Sequence, residues 1–307
     1  MATTLIEPDE LAAFLARPDW AIVDCRFELT RPEWGASAYS ESHIPGAVYA
    51  HLDRDLSGPV ESSTGRHPLP SREQLAATLG RWGIGGAAIG RAAIEGDATG
   101  RTAQGRQTQV VAYDQGNGAH ASRLWWLLRW MGHSEVAVLN GGFAAWQRAG
   151  LPVSADSVQR APGKFIPQPS NVDFVTADEL AQMVESGALA DGQTLLIDAR
   201  AADRFAGENE TIDPVAGHVP GARNHPFAGN VDAQGRFLPA DQLRHRWLQR
   251  LGSATAAQAI SMCGSGVTAC HNLLAMEVAG LGGARLYAGS WSEWIRDPAR
   301  PIARGPA

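Results

Sequence analysis

The sequence predicts an α/β protein built as two tandem units, each a mostly parallel sheet flanked by helices. Three observations carry this reading. The chain has 307 residues, about twice the ~150 residues usual for one domain. Four short motifs occur twice in the same order, so order and spacing agree as well as composition. Each copy also alternates apolar strand-like runs with helix-like stretches.

The first repeated piece is IVDCR, ending at Arg26, and LIDAR, ending at Arg200. An apolar run closed by an acid and a base suits a buried parallel strand and its C-terminal edge. The second is HIPGA from His43 and HVPGA from His218, where Pro and Gly impose a turn before the next strand. The third pairs the stretch from VVAYDQGNGAH to WMGH with the stretch from AISMCGSGVTACH to GLG. Each reads as strand, glycine-containing loop and glycine-stopped helix, with Asp114 laid on Cys263. The fourth, LNGGFAAW and YAGSWSEW, adds a strand and a short helix.

His43 and His218 are 175 positions apart, but Asp114 and Cys263 only 149, so the first unit carries about 26 more residues between these landmarks. The surplus falls within residues 85–108, a Gly-, Ala-, Thr- and Arg-rich stretch that reads as an exposed, mobile loop able to dock a partner. The expected division is an N-terminal domain over 1–150, a proline-rich linker over 151–172 and a C-terminal catalytic domain over 173–307.

Composition sets broad limits. With 44% hydrophobic and 19% charged residues, the chain is that of an ordinary globular protein. A net charge of −6 and the lack of clustered Lys and Arg exclude a nucleic-acid partner and favour a small molecule. No apolar run is long enough to span a bilayer, and the acids Glu7, Asp9 and Glu10 do not form a signal-peptide n-region. A cytoplasmic location is therefore expected. Cys25, Cys263 and Cys270 are too few and too uneven for a disulfide framework.

Cys263 is the candidate chemical centre. It ends a strand pattern and opens the loop CGSGVTAC, in which Gly264 and Gly266 allow backbone amides to turn inward. The positive end of the following helix adds to them, so both effects favour an anionic sulfur, either thiolate or persulfide. Cys270, two helical turns on, and Cys25, with no glycine loop, read as buried structural residues. A phosphate-ester enzyme with such a loop needs an arginine six positions after the cysteine. Position 269 is alanine, which argues against that chemistry.

The CGSGVTAC loop, the repeated His-x-Pro-Gly-Ala motif and the closing GSWSEW together resemble a tandem-domain rhodanese-type sulfurtransferase, over nearly the whole chain. That resemblance implies a persulfide on Cys263, carried from a small sulfur donor to a thiophilic acceptor. It also implies a catalytically degenerate first domain, with Asp114 at the cysteine position. The uncharged loop resembles that of 3-mercaptopyruvate sulfurtransferases, in which the departing enolate must gain a proton; thiosulfate is the alternative donor. The resemblance assigns proton handling to Ser265, with His67 and Asp53 of the N-terminal domain completing a relay. It assigns donor binding to Arg204 and the loop residues Gly264, Gly266, Val267 and Thr268. Asp213 stands nine positions beyond Arg204, where mercaptopyruvate enzymes carry a second arginine.

The implied partners are the small-molecule donor and a thiol, cyanide or thioredoxin-like acceptor. No metal or other cofactor is expected, because the histidines are scattered and no nucleotide fingerprint follows a strand. The rival reading is a non-enzymatic rhodanese-like binding or sulfur-relay module. The retained Cys263 speaks against it.

Overall fold

The computed structural model describes residues 2–85 and 108–306; the expected docking loop, residues 85–108, lies outside the described residues except at its two end positions. The chain divides into two compact units, one of residues 1–56 and 70–171, the other of residues 57–69 and 172–307.

The first unit comprises β1 (Leu5–Ile6), α1 (Pro8–Ala12), β2 (Trp20–Asp24), α2 (Trp34–Glu41), β3 (Val48–Tyr49), α3 (Leu52–Asp55), α4 (Arg72–Arg81), β4 (Gln109–Tyr113), α5 (Ala121–Trp130), β5 (Val136–Leu139) and α6 (Gly142–Arg148). The second comprises β6 (Phe174–Val175), α7 (Ala177–Glu185), β7 (Leu195–Asp198), α8 (Ala202–Ala206), β8 (Arg223–Asn224), α9 (Ala240–Leu251), β9 (Ala259–Met262), α10 (Thr268–Val278), β10 (Arg285–Tyr287) and α11 (Ser290–Trp294). The sheets run β1-β5-β4-β2-β3 and β6-β10-β9-β7-β8, the same order once each unit is numbered from its first strand. All the strand pairs of both sheets are parallel. The expected α/β architecture is therefore the observed one.

The central strands β2, β4, β7 and β9 are buried along their whole length. Helices on both faces of a parallel sheet leave no wet side for alternating polar residues. Each unit has its own core: Trp20, Val111, Tyr113, Phe143 and Trp146 in the first, Phe205, Ile260, Tyr287, Trp291 and Trp294 in the second. Helices begin where the sequence supplies caps, as in the capping boxes of Ser71 with Gln74 and Thr176 with Glu179.

The repeated motifs perform repeated structural tasks. In each strand-end motif the arginine folds back on the aspartate two residues earlier, Arg26 on Asp24 at 2.6 Å and Arg200 on Asp198 at 2.7 Å, fully buried. The same guanidiniums donate to Ser42 O and Gly217 O, so each buried charge is both paired and hydrogen-bonded. The His-x-Pro-Gly histidines are structural too. His43 stacks on Tyr39 and hydrogen-bonds its carbonyl, and His218 does the same with Phe205.

The observed units depart from cuts at residues 150 and 173 in two places. Residues 151–171 run along the first unit, with the Gly163 amide on Gly80 O and the Gln168 amide on Met131 O. Residues 57–69 leave the first half to join the second. Gly65 makes this possible, because a Cβ there would lie 2.6 Å from Gly289 O and 2.7 Å from Ser292 Oγ. The Arg66 amide then donates to Ser292 Oγ at 3.0 Å, and Arg296 donates to Thr64 O at 3.1 Å.

Candidate active site

Strand β9 ends at Met262 and helix α10 begins at Thr268, so Cys263, Gly264, Ser265, Gly266 and Val267 form the turn between them at the C-terminal edge of the sheet. Two carbonyls of this turn are held by α11, the Trp291 amide donating to Cys263 O at 3.0 Å and the Ser292 amide to Gly264 O at 2.8 Å. The Cys263 amide donates to Ser290 Oγ at 3.0 Å, and that hydroxyl donates in turn to Tyr287 O at 2.9 Å. Ser290 makes this bridge from a left-handed backbone with φ +55°, among the described residues the only non-glycine with positive φ. Strain of this kind collects where a site must be held in place.

The sulfur of Cys263 accepts the Gly266 N–H at 3.1 Å. Gly266 has φ +79°, and a Cβ there would lie 2.1 Å from Ala288 O, so glycine is required. Cys263 is 2% exposed and Ser265 7%. Ser265 Oγ and His67 Nδ1 share a hydrogen bond of 2.7 Å across 198 residues of sequence, with His67 itself 5% exposed. The 57–69 segment thus delivers the histidine to the turn that bears the cysteine. Val267 is buried and Thr268 opens α10, as the loop motif requires.

Arg204 on α8 also belongs to this site. A Cβ at Gly264 would lie 3.8 and 3.9 Å from its two Nη atoms, and 2.9 Å from Arg66 Nη2. Arg204 grips Glu210 with Nε and Nη2 at 2.8–3.2 Å and reaches Asp213 at 3.3 Å. Arg66 pairs with the other Asp213 oxygen. Burial drives both carboxyls upward, but the outcomes differ. The Arg204 bonds and the Asp213 and Ile212 amides hold Glu210 below its usual range. Asp213 stays above its own, because burial and the neighbouring Glu210 charge outweigh Arg66 and Arg204.

The second unit therefore brings together Cys263, Ser265, His67, Arg204 and the loop residues 264 and 266–268. Asp53 lies in the first unit on α3, with an exposed side chain and its amide donating to His51 Nδ1. Sequence reasoning missed Arg66, Glu210 and Ser290. Adjacency to His67 was the available signal for Arg66, and the acid-rich ENETID stretch for Glu210.

The other cysteines are buried differently. Cys270 donates to Gly266 O at 3.3 Å. Burial, then the charges of Asp24, Asp114 and Asp55, push the Cys25 thiol well above its usual range. At the Cys263 position of the first unit, Asp114 fills the turn with its own charge. Its carboxylate accepts the amides of Gly116, Gly118, His120 and Ala121 at 2.9–3.2 Å. Among the described residues no group of three or more His, Cys, Asp or Glu could hold a metal ion.

The family model for the rhodanese-like domain matches twice, at residues 7–149 and 176–297. A probable 3-mercaptopyruvate sulfurtransferase of Pseudomonas aeruginosa is 46% identical over 303 residues, 98% of each chain. A thiosulfate sulfurtransferase of Gallus gallus is 31% identical over 261 residues, 84% of this chain and 80% of that one. The solved 3-mercaptopyruvate sulfurtransferase from Leishmania major superposes with a TM-score of 0.78 at 31% identity, covering 96% of this chain and 76% of that one. Two matched domains, a cysteine turn in the second and an aspartate in its place in the first converge on one conclusion: the chain belongs to the tandem-domain rhodanese-type sulfurtransferases and is an enzyme of sulfur transfer.

Proposed function

We propose that the enzyme takes sulfur from 3-mercaptopyruvate onto Cys263 and passes it to a small thiol or a thioredoxin-like acceptor. The observation that carries this reading is the 2.7 Å hydrogen bond between Ser265 and His67 beside an amide-cradled Cys263 sulfur. The Cys263 thiolate attacks the donor sulfur, an S–S bond forms, and the C–S bond breaks with its electron pair left on carbon. The resulting enolate of pyruvate needs a proton, which Ser265 delivers with His67 as the exchangeable source and Asp53 as the carboxylate of the relay. Thiosulfate would leave as sulfite and has no use for such a donor.

The persulfide is an anion at neutral pH, and the Gly266 amide with the N-terminus of α10 stabilises it. Arg204 orients the donor carboxylate, and Gly264, Gly266, Val267 and Thr268 shape the loop that receives it. Three buried free thiols suit a reducing, cytoplasmic setting.

Steady-state assays with both donors and a thiol acceptor test the reading. We expect kcat/KM for 3-mercaptopyruvate to exceed that for thiosulfate by about tenfold or more, and Ser265→Ala to lower only the mercaptopyruvate kcat. Cys263→Ser should abolish turnover with either donor, while Cys25→Ser leaves it nearly intact. A thiosulfate preference, or an active Cys263→Ser enzyme, contradicts it.

A further inference from the structure

The Cys263 turn faces two guanidiniums rather than one. Measured from the Cβ position that Gly264 leaves empty, Arg66 Nη2 is at 2.9 Å, closer than either Nη of Arg204. Arg66 is held at both ends, its backbone amide on Ser292 Oγ at 3.0 Å and its Nη1 on Asp213. Its Nε is buried without a hydrogen-bond partner, and Nη2, on the Gly264 side, makes no hydrogen bond among the described residues. A guanidinium presents its N–H groups in a fixed fork. Here one prong is spent on Asp213, and the rest is oriented but unused.

Charge in this cluster is balanced. Arg66 and Arg204 face Glu210 and Asp213, and the adjacent Arg200 is paired with Asp198. An incoming donor with one negative charge meets two fixed forks at little electrostatic cost. A donor with two charges also meets the buried Asp213 carboxylate, against which both forks are held.

We propose that Arg66 is a donor-binding residue which, with Arg204, grips the carboxylate of a monoanionic 2-oxo acid thiol, and that Asp213 positions Arg66 and disfavours dianionic donors. The 57–69 segment thus supplies the second guanidinium of the site beside Arg204. This inference rests on the reading of Cys263 as the sulfur acceptor.

The test uses the full-length enzyme. KM and kcat are measured for 3-mercaptopyruvate and thiosulfate with a fixed thiol acceptor, in the wild type and in Arg66→Gln, Arg66→Lys, Asp213→Asn and the exchanged double variant Arg66→Asp/Asp213→Arg. Intact mass at saturating donor reports the Cys263 persulfide, and thermal unfolding reports folding. Arg66→Gln should raise the mercaptopyruvate KM about tenfold or more, with the acceptor KM and the saturating persulfide yield unchanged, and Arg66→Lys should recover part of the loss. Asp213→Asn should raise thiosulfate use relative to mercaptopyruvate by about fivefold, and the exchanged variant should restore the donor KM to within about threefold of wild type.

An Arg66→Gln enzyme of normal thermal stability with unchanged donor KM overturns the proposal, as does a fall in kcat at unchanged KM. An exchanged variant whose donor KM is no better than that of Arg66→Gln overturns the role of Asp213. If the wild type gains no sulfur on Cys263 from any donor, the underlying reading fails instead, a result distinct from a normal persulfide yield with an unaltered Arg66→Gln KM.

Discussion

Asp114 and Cys263 occupy matching turns and solve the same electrostatic problem differently. A turn of inward-facing amides at a helix N-terminus needs an anion. In the first unit the Asp114 carboxylate accepts four amide hydrogen bonds; in the second the Cys263 sulfur accepts the Gly266 amide. Asp114→Asn replaces one acceptor oxygen with a donor amide, so at least one buried N–H loses its partner. The expected cost is about 1–3 kcal/mol of stability, read by chemical denaturation, with kcat unchanged; a loss of activity at full stability would assign Asp114 a direct part in turnover. The sequence singled out Cys263 because glycines around a strand-ending cysteine have few other uses, and Ser265 only through the family resemblance of its loop. Ser290 was not. Its φ of +55° is borne where the first unit has Gly142 at φ +56°, and only the hydrogen bond to the Cys263 amide explains a serine there.

Among the elements, the 57–69 segment decides how the site is assembled. It closes on itself through the Gly58 amide and Pro68 O, then docks through Gly65 onto α11 with no room for a side chain. Gly65→Val should lift it away and displace Arg66 and His67 together, lowering kcat/KM by about tenfold or more, while persulfide formation from excess donor persists at a reduced rate. Unchanged kinetics would show that the docking is not needed. The strands and helices were legible from apolar runs and glycine stops. This segment was not, because its contacts span 147 and 198 residues and leave no local period.

A second element-scale feature is the buried network in which His225 and Asn230 bond at 3.1 Å, and Asn230 donates to Asn272 of α10 at 2.7 Å. Burial lowers His225 to about 4. The unfolded chain then binds more protons than the folded one between about pH 6.5 and 4, so this contribution is complete above 6.5 and is lost as pH falls. Denaturation at pH 7.5 and pH 5 should differ by roughly 2 kcal/mol from this group, a difference that His225→Gln abolishes. A slope that survives the substitution assigns the effect to other groups.

For the whole molecule, duplication was the most informative feature of the sequence, and the two sheets share one strand order. One copy has a cysteine in the matching turn and the other an aspartate. No described helix is long and apolar enough to cross a membrane. The net charge of −6 says nothing of the local site, where the half-buried Arg66 and Arg204 face the buried carboxylates of Glu210 and Asp213. What links both scales is one sulfur atom held at Cys263. The most direct test is intact-mass spectrometry of the full-length enzyme after incubation with 3-mercaptopyruvate and no acceptor, followed by peptide mapping. A gain of one sulfur, located on Cys263, removed by added thiol and absent from Cys263→Ser, is the expected result; no gain, or a gain on Cys25 or Cys270, would contradict sulfur transfer through Cys263.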